Sequence, residues 1–287
     1  MNKINPLYRY LIAVTIYGTI GFFLHFVNAQ SEFVVFCRGL IGGLFIGLVM
    51  LISKQYPDLK SIKNNLLYIA ISGIALGLNW LFLFAGYRYS VAIASLLNYT
   101  APIIVVIITA VFFKEKLNKM QILCIIASFI GIACISGIFE TSSTIDIHCI
   151  IYGLLAAAAF VFIVLCNRKI HDVKPLDKTI TQLLFSAITV LPYVLINDSV
   201  PKQLDTLSII LLICLGVIHT SITYIFYFNS IDTLQANKVA IFGYIEPVLT
   251  VLTGALVFHE KLSVFGIIGA ILILTSALVN ELVANKQ

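Results

Sequence analysis

Residues 99–117 read YTAPIIVVIITAVFFKEKL, and residues 244–262 read YIEPVLTVLTGALVFHEKL. At an offset of 145 positions, eight of the nineteen residues coincide, from the opening Tyr to the closing Glu-Lys-Leu. Each segment carries one long apolar run, and 145 residues hold five such runs. A unit that crosses a membrane five times leaves on the side opposite to its entry. Its duplicate must therefore sit upside down. Inverted repeats of this kind are a mark of secondary transporters.

The chain is 60% hydrophobic and 11% charged. A soluble domain carries about 25% charged residues, so the bilayer is the solvent implied here. A span needs about 20 apolar residues. Runs of that kind lie near 7–27, 33–52, 64–87, 91–113, 119–139, 148–168, 179–196, 207–229, 235–258 and 263–283. They are continuous, and about twice as long as the roughly ten-residue alternating strands of a membrane barrel. In hydrocarbon a helix satisfies its own backbone. The expected fold is an all-α membrane protein of ten transmembrane helices, built as two inverted five-helix repeats, 1–140 and 147–287. The first run, with Lys3 and Arg9 before it and Val27-Asn28-Ala29 at its end, has some look of a cleaved leader. Its apolar stretch exceeds the usual ~7–15 residue leader core, so it is expected to remain as a span.

The net charge is +5. With a cytoplasmic N-terminus, fourteen basic residues fall inside and three, Arg88, Lys202 and Lys261, fall outside; Arg38 lies within the second run. The bias predicts a cell-membrane protein with both termini in the cytoplasm. Nucleic-acid binding does not fit, because the basic residues stand singly or in small groups beside spans. The six cysteines form no C-x-x-C pair, and most lie inside spans. They read as small hydrophobes rather than as a disulfide or zinc framework. No metal or other cofactor is expected.

Four motifs carry a resemblance. The fourth and ninth runs end in Phe113-Lys114-Glu115-Lys116-Leu117 and Phe258-His259-Glu260-Lys261-Leu262; the ninth contains Glu246-Pro247-Val248; the second contains Arg38-Gly39-Leu40; the first contains Tyr17-Gly18. With the five-plus-five pattern, these make the whole chain resemble the drug/metabolite transporter superfamily, in its ten-helix EamA-type branch. Many members have Trp-Gly where Tyr17-Gly18 stands. The first half departs by having Ala101-Pro102 opposite Glu246-Pro247. The resemblance implies a central cavity lined by the first, third, fourth, sixth, eighth and ninth helices, and alternating-access transport of a small organic solute. Many members export amino acids or related metabolites.

Glu246, halfway along the ninth run, is the foremost candidate. A charge at mid-helix costs about 2.5–3.5 kcal/mol to insert, which calls for a partner, a wet cavity or a bound proton. It suits proton coupling or pairing with a cationic solute; the plainer alternative is a structural hydrogen bond. Pro102 and Pro247 are repeat partners that kink a helix interior and free carbonyls toward a cavity, or simply help packing. Arg38 reads as a gating or structural residue near the outer interface, with a carboxylate clamp as the alternative. Tyr17, Asn79, Trp80, Asn98, Tyr99, Tyr224 and Tyr244 are candidates for a solute wall. Aromatic belts at the interfaces are the competing account, and it suits Tyr227 best. His219 is a weaker cavity candidate, and His25 reads as interfacial. Gly39, Gly43, Gly47, Gly73 and Gly77 mark small faces for close helix packing.

The leading reading is a carrier exporting an amino acid or similar solute, as a monomer or homodimer in the lipid bilayer, with protons as a candidate coupling ion. A carrier of quaternary amines is the alternative, favoured by Glu246 and the aromatics. A channel lacks its polar rings. A membrane enzyme lacks a nucleophile elbow, metalloprotease motif or phosphate loop.

Overall fold

Every element among the described residues is helical, as continuous apolar runs in hydrocarbon require. The computed structural model describes residues 5–112, 118–135, 146–231, 234, 242–243, 245–259 and 263–284. In chain order the helices are α1 (Pro6–Gly18), α2 (Ile20–His25), α3 (Ser31–Ile52), α4 (Leu59–Asn64), α5 (Leu66–Tyr87), α6 (Val91–Asn98), α7 (Ala101–Phe112), α8 (Lys119–Ile135), α9 (Ile147–Asn167), α10 (Pro175–Ile196), α11 (Thr206–Gly216), a π-helical turn (Val217–Ile222), α12 (Thr223–Ile231), α13 (Ile245–Val257) and α14 (Val264–Ala284). Among the described residues, six segments are long and apolar enough to cross a membrane: Pro6–His25, Ser31–Ile52, Leu66–Tyr87, Ile147–Asn167, Pro175–Ile196 and Thr206–Tyr227. Shorter apolar helices occupy the fourth, fifth, ninth and tenth runs.

Polar caps set several helix starts. Asn5 accepts from Leu7 N, with Pro6 following at the first helical position. Ser90 caps α6, Asp146 caps α9 and Asp205 caps α11. The Ser208 hydroxyl and backbone N–H hold the Asp205 carboxyl below the usual carboxylate range. Asn28 N donates to the same hydroxyl at 2.9 Å, tying the start of α11 to the loop after α2.

Small residues let the long helices close on one another. A Cβ on Gly73 would stand 2.8 Å from the Gln182 carbonyl oxygen, and one on Gly77 would stand 2.9 Å from that of Ser186. Gly39 packs on the same stretch of α10. Gly216 of α11 lies against Ile41, and Gly153 of α9 against Leu97. The glycine faces of the second and third runs are therefore packing faces directed at α10.

The helix pairings come in matched sets. α5 packs on α9 and α12 on α1; α6 packs on α9 and α13 on α1; α3 meets α11 and α10 meets α5. Three further pairs, α3 with α10, α6 with α13 and α8 with α14, each join one run to the run five places later.

Three runs are interrupted, each for a local reason. The Thr19 hydroxyl donates to Ile16 O at 2.8 Å, where α1 gives way to α2. α6 ends at Asn98 and α7 begins at Ala101, one residue before Pro102, which has no N–H to donate to the carbonyl of residue 98. In the π turn, the hydroxyls of Thr220, Ser221 and Thr223 donate to the carbonyls of Leu215, Gly216 and Ile218, each five residues back. Pro102 stands in the first turn of α7 rather than inside a helix, where a missing N–H leaves no hydrogen bond unmade; the residue at position 244, ahead of Pro247, lies outside the described residues.

Candidate functional site

The interruptions meet. Thr19 Oγ1, at the α1–α2 break, lies 3.2 Å from His219 Nε2 in the π turn. One residue earlier, Gly18 packs on the first turn of α13, where an added Cβ would lie 3.0 Å from the Glu246 carbonyl oxygen. The Gly18 carbonyl accepts from Thr250 Oγ1 at 3.5 Å. On the other side of Glu246, the Tyr99 hydroxyl reaches across from the α6–α7 break and donates to Oε1 at 3.1 Å. Tyr99 belongs to the first half of the chain and Glu246 to the second, 147 residues apart.

Aromatic rings fill the space beside this contact. Tyr17 lies edge-on to Tyr224 at 5.9 Å and to Tyr227 at 6.2 Å, and Tyr227 meets Tyr10 at 5.5 Å. The Tyr17 hydroxyl is buried and finds no hydrogen-bond partner among the described residues. Arg38 is 2% exposed. Its Nε donates to Thr220 Oγ1 at 3.2 Å, and its Cζ lies 4.1 Å from the Trp80 ring centroid and 5.3 Å from that of Phe84. Among the described residues no carboxylate forms an ion pair with it.

This arrangement corrects several sequence expectations. Arg38 does not snorkel to the interface; it is buried on an aromatic floor, because Trp80 and Phe84 of α5 face it. Tyr227 is half-buried, with its ring 5.5 Å from that of Tyr10 and 6.2 Å from that of Tyr17. Asn79 is buried and committed to structure: its amide donates to Asn98 Oδ1 at 3.1 Å and to Ala156 O at 2.8 Å. Asn98 is the partner in that bond, so neither carries a free group toward solute through it. His219 is buried beside Phe23 at 4.5 Å, with its Nδ1 unpartnered among the described residues. His25 is exposed and stacks on Phe258 at 4.5 Å. Trp80 and Tyr224 join the set around Arg38 and Tyr17. Tyr244 lies outside the described residues. Thr220 was not singled out, although its signal was present: His219, Thr220, Ser221 and Thr223 form a polar cluster inside an apolar run.

A cavity of about 220 Å³ opens above this region, lined among others by His25, Ser31, Phe84, Tyr87, Arg88 and Val91. It adjoins a wider one of about 480 Å³ that includes Asn28, Arg88, Asp198 and Lys202. Arg88 and Lys202 place positive charge at the mouth, and Glu32 lies 3.9 Å from Arg88. Phe84 is shared: it lines the cavity and also contacts the Arg38 guanidinium.

The sequence profile of the EamA-like transporter family matches residues 8–137 and again 147–281. The chain is 30% identical over 275 residues to the uncharacterized transporter YxxF of Bacillus subtilis, covering 95% of this chain and 88% of that one. It is 24% identical to protein RarD of Escherichia coli, over 76% of this chain and 73% of that one. A protein of known crystal structure shares its fold with a TM-score of 0.65 at 15% identity, over 97% of this chain and 98% of that one.

Proposed function

The chain belongs to the EamA-like transporter family, and from that premise we propose that it is a secondary carrier exporting a small organic metabolite, an amino acid or related solute, by alternating access. The observation that carries this reading is the Tyr99–Glu246 hydrogen bond. It joins the two halves at the break between α6 and α7, and discontinuous helices are where carriers hold solute and coupling ion. Glu246 is the group proposed to exchange a proton during the cycle. The halves are read as inverted repeats, supported by the 145-residue sequence repeat and by helix pairings that match under a shift of five runs. A cationic solute such as a quaternary amine is a second reading, favoured by the carboxyl of Glu246 beside tyrosine rings.

Reconstituted liposomes test the function. Counterflow of labelled amino acid should saturate with concentration and require the protein. Flux that rises without saturation would point to a channel instead.

Orientation is tested separately. In a cysteine-free background, a single cysteine at Lys202 should react with an impermeant maleimide added to intact cells. One at Lys60 should react only after the membrane is opened. Both positions are exposed, and the expectation follows from the bias of basic residues. Equal labelling from one side would refute cytoplasmic termini.

A further inference from the structure

We propose that Arg38 is the anion-binding group of the solute site, taking the carboxylate of the solute on the free edge of its guanidinium. This rests on the carrier reading above and narrows it. A guanidinium offers five donors in a planar fork, and Arg38 spends one, on Thr220. Trp80 and Phe84 lie against the group within cation–π range. An aromatic floor holds such a fork in place without occupying its edge donors. Burial without a counter-ion is costly for a charge, and no described carboxylate pairs with this one. A carboxylate that arrives with the solute and leaves with it relieves that cost only while bound.

A second, independent observation points the same way. The Tyr17 hydroxyl is buried without a partner among the described residues, two positions before Thr19, which contacts His219, the neighbour of the Thr220 that holds Arg38. It is a spare donor at the same helix junction. Bidentate pairing with a carboxylate and one further hydroxyl bond would satisfy both groups. The cavity that carries Arg88 is also lined by Phe84, whose ring contacts the Arg38 guanidinium. A zwitterion would use Glu246, the other charge of the site, for its cationic end. A simple carboxylate would use Arg38 alone.

Trp80 is the only tryptophan of the chain, and Arg38 sits 4.1 Å from its ring centroid. Its emission therefore reports on the proposed site. Purified protein in detergent is titrated, at constant ionic strength set with chloride, with acetate, 4-methylpentanoate, L-leucine and L-leucinamide. Saturable emission changes are expected with the carboxylates and not with leucinamide. R38K keeps the charge and loses the fork, and should weaken carboxylate binding by about thirtyfold or more. Melting by far-UV circular dichroism confirms that R38K is folded. A response to L-leucine alone assigns Glu246 as a second pole; an equal response to 4-methylpentanoate assigns Arg38 by itself; either supports the proposal. Carboxylate binding of unchanged affinity in R38K, or the lack of a saturable response to every carboxylate, overturns it. Carriage of leucinamide by both wild type and R38K in liposomes would also overturn it while leaving the carrier reading intact. Carboxylate binding with no carriage at all would do the reverse.

Discussion

Glu246→Gln is expected to cut transport by about thirtyfold or more and to flatten whatever pH dependence the wild type shows, with the protein still folded. Gln retains the size and an acceptor oxygen for the Tyr99 hydroxyl, which lies 3.1 Å from Oε1. The change therefore deletes a titratable charge and little else. A hydrogen bond to a charged group is worth about 1.5–3 kcal/mol, and each 1.4 kcal/mol is a factor of ten. Tyr99→Phe should fall between the two, since it removes the hydrogen bond and leaves the carboxyl. Uptake into liposomes across a pH series, with melting temperatures measured in parallel, checks both. Wild-type rates with an unaltered pH profile in Glu246→Gln would make Glu246 a structural acid and remove proton coupling from the proposal.

The sequence made some layers of this protein readable and hid others, and the division has a physical basis. Hydrophobic thickness fixes the length of an apolar run, so Ser31–Ile52, Leu66–Tyr87 and Pro175–Ile196 fall close to their expected positions. The break before Pro102 was signalled by the residue itself, though as a kink rather than a helix start. The break at Thr19 and the π turn were not signalled. Both arise from hydroxyls turning back on the backbone, and the same residues fit an undisturbed membrane helix. Depth along a run was legible; direction around it was not. Arg38 was placed toward the outer end of its helix, and only the fold shows that it faces Trp80, 42 positions later, rather than lipid. The position of Tyr227 along its run suits an interface anchor, while its azimuth puts it against Tyr10 and Tyr17.

Azimuth also decides the other large expected effect. Gly18→Ala should lower stability by about 1–3 kcal/mol and abolish transport, although an alanine normally strengthens a helix by about 0.5–1 kcal/mol over glycine. An added Cβ would stand 2.6 Å from Leu249 Cβ and 3.0 Å from the carbonyl oxygen of Glu246. Neither atom is the tip of a flexible side chain, so α1 and α13 must part. Parting them moves the backbone that carries Glu246 away from Tyr17 and loosens the 3.5 Å contact from Thr250 to the Gly18 carbonyl. Gly47→Ala is the matched control. Its Cβ would meet only the tip of Ile180, at 3.3 Å, so the helix gain should dominate and transport should persist. Thermal unfolding and liposome uptake of the two variants settle the matter. If Gly18→Ala is as stable and as active as Gly47→Ala, the close seat of the first helix on the Glu246 turn is not part of the working protein.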